Sequence, residues 1–127
     1  MTKVLVVEDN PANMTLSTFL LESAGHSVLK ATDAETGVAL ARAEQPDLIL
    51  MDIQLPGMDG LRATALLKGD AATHDIPVIA LTALAMKGDE ARIREAGCDG
   101  YIAKPLSYKD FLATISTQLE NRGPVKP

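Results

Sequence analysis

The apolar positions of the chain gather in five short runs, at residues 4–7, 27–31, 48–51, 78–81 and 101–103. Three of them are rich in Val, Ile and Leu without polar alternation, the pattern of strands covered on both faces. Between the runs lie stretches long enough for crossover helices, so parallel βαβ units are the expected organisation. Cap residues mark the helices. Asn10 caps the first, with Pro11 at the favoured first position and Gly25 ending it. Along this helix Ala12, Leu16, Phe19, Leu20 and Ser23 trace one face of apolar or small residues, expected to pack inward. Asp33 caps a second helix that closes at Gln45-Pro46. Asp59 or Gly60 opens a third after the turn Leu55-Pro56-Gly57-Met58. A fourth is predicted over about residues 86–96, stopped by Gly97. Ser107-Tyr108-Lys109-Asp110 fits a capping box before a stripe of Phe111, Leu112, Ile115 and Leu119.

The pattern reads as α/β, a (βα)₅ three-layer sandwich with helices on both faces of an open parallel sheet. Right-handed crossovers and the flavodoxin-like strand order 2-1-3-4-5 are the first choice. Residues 1–122 are expected to form one domain and residues 123–127 a disordered tail.

Composition narrows the classes. The chain has 127 residues, 46% of them hydrophobic and 23% charged, which suits one soluble domain with a real core. With the single cysteine Cys98 no intrachain disulfide can form, and a reducing cytoplasm is the expected setting. Cys98 follows Gly97 at a helix end and reads as packed rather than reactive. His26 and His74 read as surface residues. No apolar run reaches the length of a signal-peptide core or a membrane span. The formal charge of −5 argues against nonspecific binding to nucleic acid or anionic lipid.

The polar residues at the strand ends carry the chemistry. The first strand runs into Glu8-Asp9, the third into Asp52, the fourth into Thr82 and the fifth into Lys104-Pro105. In a parallel sheet all carboxyl ends share one edge, and order 2-1-3-4-5 makes the first and third strands neighbours at the switch point where ligands bind. Three carboxylates in one crevice repel each other unless a cation intervenes, and a hard divalent ion with oxygen ligands is the simplest remedy. A nucleophilic carboxylate, a metal, a hydroxyl and an ammonium are the parts phosphoryl transfer needs.

The segments Val7-Glu8-Asp9-Asn10, Leu50-Met51-Asp52-Ile53-Gln54-Leu55-Pro56-Gly57-Met58-Asp59-Gly60, Leu81-Thr82-Ala83 and Tyr101-Ile102-Ala103-Lys104-Pro105 resemble, in order and spacing, the motifs of response regulator receiver domains of bacterial two-component systems. The stretch Ala83-Leu84-Ala85-Met86-Lys87-Gly88-Asp89 is similar to stand-alone, DivK-like members, and also to receivers fused to hybrid kinases. The resemblance implies that Asp52 accepts a phosphoryl group from a phosphohistidine of a sensor histidine kinase or a histidine phosphotransfer protein. It implies that Glu8, Asp9, Asp52 and the backbone carbonyl of Gln54 hold Mg²⁺, for which Mn²⁺ can substitute. Lys104 would pair with phosphate oxygens, ahead of a cis bond to Pro105, and the Thr82 hydroxyl would bond one of them. Tyr101 would turn inward as Thr82 moves, although a half-buried strand tyrosine needs no switching role. Ala83 would be the small residue beside the phosphate, and Gln54 and Leu84 its variable neighbours. The output would be a changed surface on the fourth helix, fifth strand and fifth helix, read by a separate effector protein because almost no chain remains after residue 121.

Rival functions fit less well. A haloacid-dehalogenase-like phosphatase wants a second acid two residues after its nucleophile, where this chain has Gln54, and usually a cap domain. A flavin or nucleotide module wants a Gly/Ser/Thr-rich loop after the first strand, where Glu8-Asp9-Asn10-Pro11 would repel phosphate. The remaining alternative is a degenerate receiver that binds partners without phosphorylation, against which the intact acid, Thr and Lys set argues.

Overall fold

The computed structural model describes residues 2–55, 57–82, 87–103 and 108–122. Elements alternate from end to end: β1 Lys3–Val7, α1 Pro11–Ser23, β2 Ser27–Ala31, α2 Ala34–Glu44, β3 Leu48–Asp52, α3 Gly60–Lys68, β4 Val78–Thr82, α4 Lys87–Glu95, β5 Gly100–Ala103 and α5 Tyr108–Arg122. The five strands form one parallel sheet in the order β2-β1-β3-β4-β5, the flavodoxin-like arrangement expected from the pattern.

Caps form where short polar side chains can satisfy the first free N–H groups of a helix. Asn10 accepts from the Asn13 N–H at 3.0 Å, Asp33 from Thr36 at 2.8 Å and Asp59 from Arg62 at 2.8 Å. Gln45, at φ 49°, closes α2 in the left-handed region, and Gly25 and Gly97 follow α1 and α4 at φ 94° and 103°. Ser107, Met86 and the tail at 123–127 lie outside the described residues.

Alternation along the strands sorts the core into two layers. Val4, Val6, Leu48, Leu50, Ile79, Leu81 and Ile102 face α1 and α5, where Leu21, Phe111 and Ile115 complete the packing. Leu5, Val7, Ile49, Met51, Val78 and Ala80 face the opposite way, against Val38 of α2, Leu67 of α3 and Ile93 of α4. The central strands β3 and β4 are buried throughout, whereas edge strand β2 buries fully only Ala31. The stripe Phe111, Leu112, Ile115 and Leu119 on α5 faces the core as its spacing predicts.

The expectation for α1 fails. Leu20 is buried, but Leu16 is 41% and Phe19 65% exposed, and Ala12 and Ser23 also face outward. The inward arc is Met14, Ser17, Thr18 and Leu21. At about 100° per residue, the stripe 12-16-19-23 lies on the far side of the helix from 14-17-18-21. The helix turns two hydroxyl residues inward, so hydrophobicity along α1 points the wrong way.

Candidate functional site

Parallel pairing places the acids. Val7 is level with Met51 in the β1–β3 ladder, so the next residues, Glu8 and Asp52, stand side by side at the carboxyl edge of the sheet. Carboxylate oxygens of Glu8, Asp9 and Asp52 lie within 4.8 Å of one another. Glu8 and Asp52 are buried while Asp9 is exposed, so the cluster opens to solvent on one side.

The backbone around the cluster is held from several directions. The Glu8 N–H donates to Ala31 at 3.0 Å, carrying the β1–β2 ladder one residue past the strand. The Asn10 N–H donates to Glu8 Oε2 at 3.3 Å, so the residue that caps α1 also fixes the Glu8 carboxylate. The Gln54 N–H donates to Asp52 Oδ1 at 2.9 Å, and the Ile53 N–H reaches Leu81 at 3.2 Å. Gly60 lies directly against the Asp52 carbonyl oxygen, where a β-carbon would collide with backbone.

The remaining predicted positions divide. Thr82 is fully buried as the last residue of β4 and pairs with Ala103. Tyr101 is half-buried, pairs with Ala80 and packs on the α2–α3–α4 core. By strand alternation the Thr82 and Tyr101 side chains share one sheet face, on adjacent strands, one repeat apart. The Gln54 side chain is exposed. Lys104, Ala83, Leu84 and the Lys104–Pro105 bond lie outside the described residues. Among the described residues, the acidic cluster is the one group of three or more possible metal-ligating side chains, and its three hard oxygen donors fit Mg²⁺ or Mn²⁺ rather than a thiophilic ion.

Two contacts had no signal in the sequence. The Gln54 amide is a backbone group whose role depends on the loop conformation. Gly60 has a local reading as a helix start, but its approach to Asp52 is a property of the packed loop. Cys98 is buried beside Thr64, and burial pushes its thiol up, with the Thr64 contact opposing. His74 is exposed beside Asp75.

The chain is similar throughout to known signalling proteins. The family model of the response regulator receiver domain matches residues 4–116. The polar-differentiation response regulator DivK of Brucella ovis is 51% identical over 120 residues, covering 94% of this chain and 98% of that protein. Its counterpart in Brucella anthropi is 50% identical over 116 residues, covering 91% and 94%. The receiver domain of a Pseudomonas aeruginosa sensor histidine kinase, solved with a magnesium ion coordinated in its active-site cleft, superposes with TM-score 0.88 at 34% identity, covering 94% of this chain and 98% of that one. A CheY-like receiver domain protein from Methanospirillum hungatei superposes with TM-score 0.89 at 29% identity, covering 96% of each. Among the described residues, no helix is long and apolar enough to cross a membrane.

Proposed function

The chain belongs to the response regulator receiver family, and on that premise we propose that Asp52 is the phosphoacceptor, charged by a sensor histidine kinase or a histidine phosphotransfer protein. Receiver domains are phosphoacceptor switches rather than enzymes with turnover, and this one is homologous to DivK-type stand-alone regulators.

The observation that carries the reading is the convergence of Glu8, Asp9 and Asp52 within 4.8 Å, with one Asp52 oxygen held by the Gln54 N–H. A carboxylate oxygen of Asp52 attacks the phosphorus of a phosphohistidine. The P–N bond breaks, a P–O bond forms, and the imidazole leaves taking up a proton. Glu8, Asp9 and Asp52, with the Gln54 carbonyl, would hold Mg²⁺ or Mn²⁺. When bound, the cation offsets the negative charge that gathers where two anions meet. Lys104 would add a second positive charge to the phosphoryl oxygens. The Thr82 hydroxyl would donate to one of them, and Tyr101 would follow because it shares that sheet face on the next strand. The changed contacts would be read by a separate effector at the face of α4, β5 and α5.

The test is incubation with Mg²⁺ and acetyl phosphate, followed by intact mass. One added phosphoryl group is expected, absent in Asp52→Asn and after chelation of the metal. Unchanged mass with acetyl phosphate, phosphoramidate and histidine kinases would sink the proposal in favour of a receiver that binds without phosphorylation.

A further inference from the structure

One stripe of α3, at residues 60, 64 and 68, touches the candidate site at its top and the opposite edge of the sheet at its base. At the top, Gly60 abuts the Asp52 carbonyl, and a β-carbon there would also come within 2.7 Å of Ile53 Cα. The Gly60 N–H donates to the Ile53 carbonyl at 3.3 Å. One turn on, fully buried Thr64 donates to the Gly60 carbonyl at 2.9 Å, and Cys98 Sγ lies 3.8 Å from the same hydroxyl. A further turn on, Lys68 Nζ reaches Asp99 Oδ2 at 2.9 Å and the Ile76 carbonyl at 2.8 Å. The lysine stem lies over Gly97, where a β-carbon would come within 2.9 Å of Lys68 Cγ. Asp99 Oδ2 also accepts the Val78 N–H at 2.8 Å, which ties the turn to the start of β4.

We propose that the Gly60-Thr64-Lys68 stripe is a positioning device that couples the state of Asp52 to the Gly97-Cys98-Asp99 turn and hence to the entry of β5. It rests on the reading of Asp52 as phosphoacceptor. The two ends are separated by about 12 Å of helix, and an α-helix at this length moves as a body. At the top the contact is hard-sphere, since backbone meets backbone with no side chain to yield. At the base the ion pair, the carbonyls of Ile76 and His74 (2.8 and 3.4 Å from Lys68 Nζ) and a glycine seat leave little slack. Close-packed interiors transmit such displacements rather than absorb them. This route is distinct from the Thr82–Tyr101 pair: it runs through α3 on one face of the sheet and reaches β5 from its other end.

If the stripe is static packing instead, the turn will not sense the site. Amide shifts of the full chain, read by ¹H–¹⁵N spectra with Mg²⁺ alone and then with excess acetyl phosphate, decide between the two, with intact mass giving the phosphoryl occupancy. The Gly97, Cys98 and Asp99 amides are expected to move in the natural chain. In Thr64→Val and Asp99→Asn those movements should fall by half or more at equal occupancy, while the Glu8 amide moves as before. Lys68→Arg should retain the coupling that Lys68→Met loses, and thermal melts check that each variant folds. Turn amides that stay fixed in the natural chain under both additions, or that move equally in the variants, overturn the inference. A natural chain that gains no mass with acetyl phosphate, phosphoramidate or a histidine kinase overturns the phosphoacceptor reading instead, and the Mg²⁺ shifts then decide the coupling alone.

Discussion

The Gln54 N–H donates to Asp52 Oδ1 at 2.9 Å, so a backbone group two residues downstream orients the carboxylate proposed to accept phosphate. A hydrogen bond to a charged group contributes about 1.5–3 kcal/mol, and here it holds Oδ1. The donor is main chain, so the Gln54 side chain is dispensable for it. Gln54→Ala should be phosphorylated by acetyl phosphate within about threefold of the natural rate. Gln54→Pro, which lacks the N–H, should be slower by about tenfold or more. Initial rates by intact mass, with far-UV circular dichroism as the folding check, separate the two.

Three carboxylates within 4.8 Å repel each other in the metal-free protein. A pair of unit charges at that separation costs about 1 kcal/mol in water, and more where the dielectric is lower. Asp9→Asn removes one charge from the exposed side of the cluster. The metal-free variant should melt about 3 °C higher than the natural chain. Its Mg²⁺ affinity should fall about tenfold or more, measured by calorimetric titration. A variant that melts lower and still binds Mg²⁺ normally would refute this account of the cluster.

The orientation of α1 predicts opposite outcomes for neighbouring apolar residues. Leu21 is fully buried and Phe19 is largely exposed. Leu21→Ala should cost about 2–5 kcal/mol, whereas Phe19→Ser should stay within about 0.5 kcal/mol in urea unfolding.

On the inward side of α1, Ser17 Oγ and Thr18 Oγ1 are buried with no hydrogen-bond partner among the described residues. A buried unsatisfied hydroxyl costs about 1–3 kcal/mol, and an apolar replacement of the same shape removes that cost. Thr18→Val should therefore leave stability unchanged or raise it by about 1 kcal/mol. A clear loss would mean the hydroxyl is satisfied in solution.

Burial raises the Cys98 thiol above its ordinary value of 9.0. The folded protein thus holds a proton that the unfolded chain releases more readily. Its contribution to stability is complete below about pH 9 and is lost as pH rises through the folded value. Melting temperature should decline above pH 9 more steeply in the natural chain than in Cys98→Ala. At pH 7.5, alkylation of Cys98 should be at least about tenfold slower than in urea-unfolded chain.

Acids behave in the opposite sense. Backbone hydrogen bonds from Thr36 and Ala72 hold the Asp33 and Asp70 carboxyls below the usual range, the latter aided by Arg42 at 2.6 Å. Their support is present above the ordinary carboxylate value and is lost as pH falls through the lowered one.

Much of the architecture could be read along the chain because its causes are local. Asn10, Asp33 and Asp59 cap helices by bonding N–H groups three residues away, and the apolar runs of β3 and β4 are long enough to demand cover on both faces. The neighbouring of Glu8 and Asp52 also followed, because right-handed crossovers leave few strand orders and the expected one sets β1 beside β3. The sequence by itself thus determined the element order, the sheet and the acids at its carboxyl edge.

Tertiary structure decided what depends on which surfaces meet. Helical period alone could not choose the buried side of α1, because the packing against the sheet and α5 accepts Ser17 and Thr18 and leaves Phe19 in water. Nor could it join Lys68 to Asp99 across 31 residues, or bring Gly60 against the Asp52 carbonyl. A cap or a strand is set by residues a few positions apart, whose separation the covalent chain already dictates. A contact between two folded elements exists only after both have formed and docked, and its partners carry no mark of one another in the sequence.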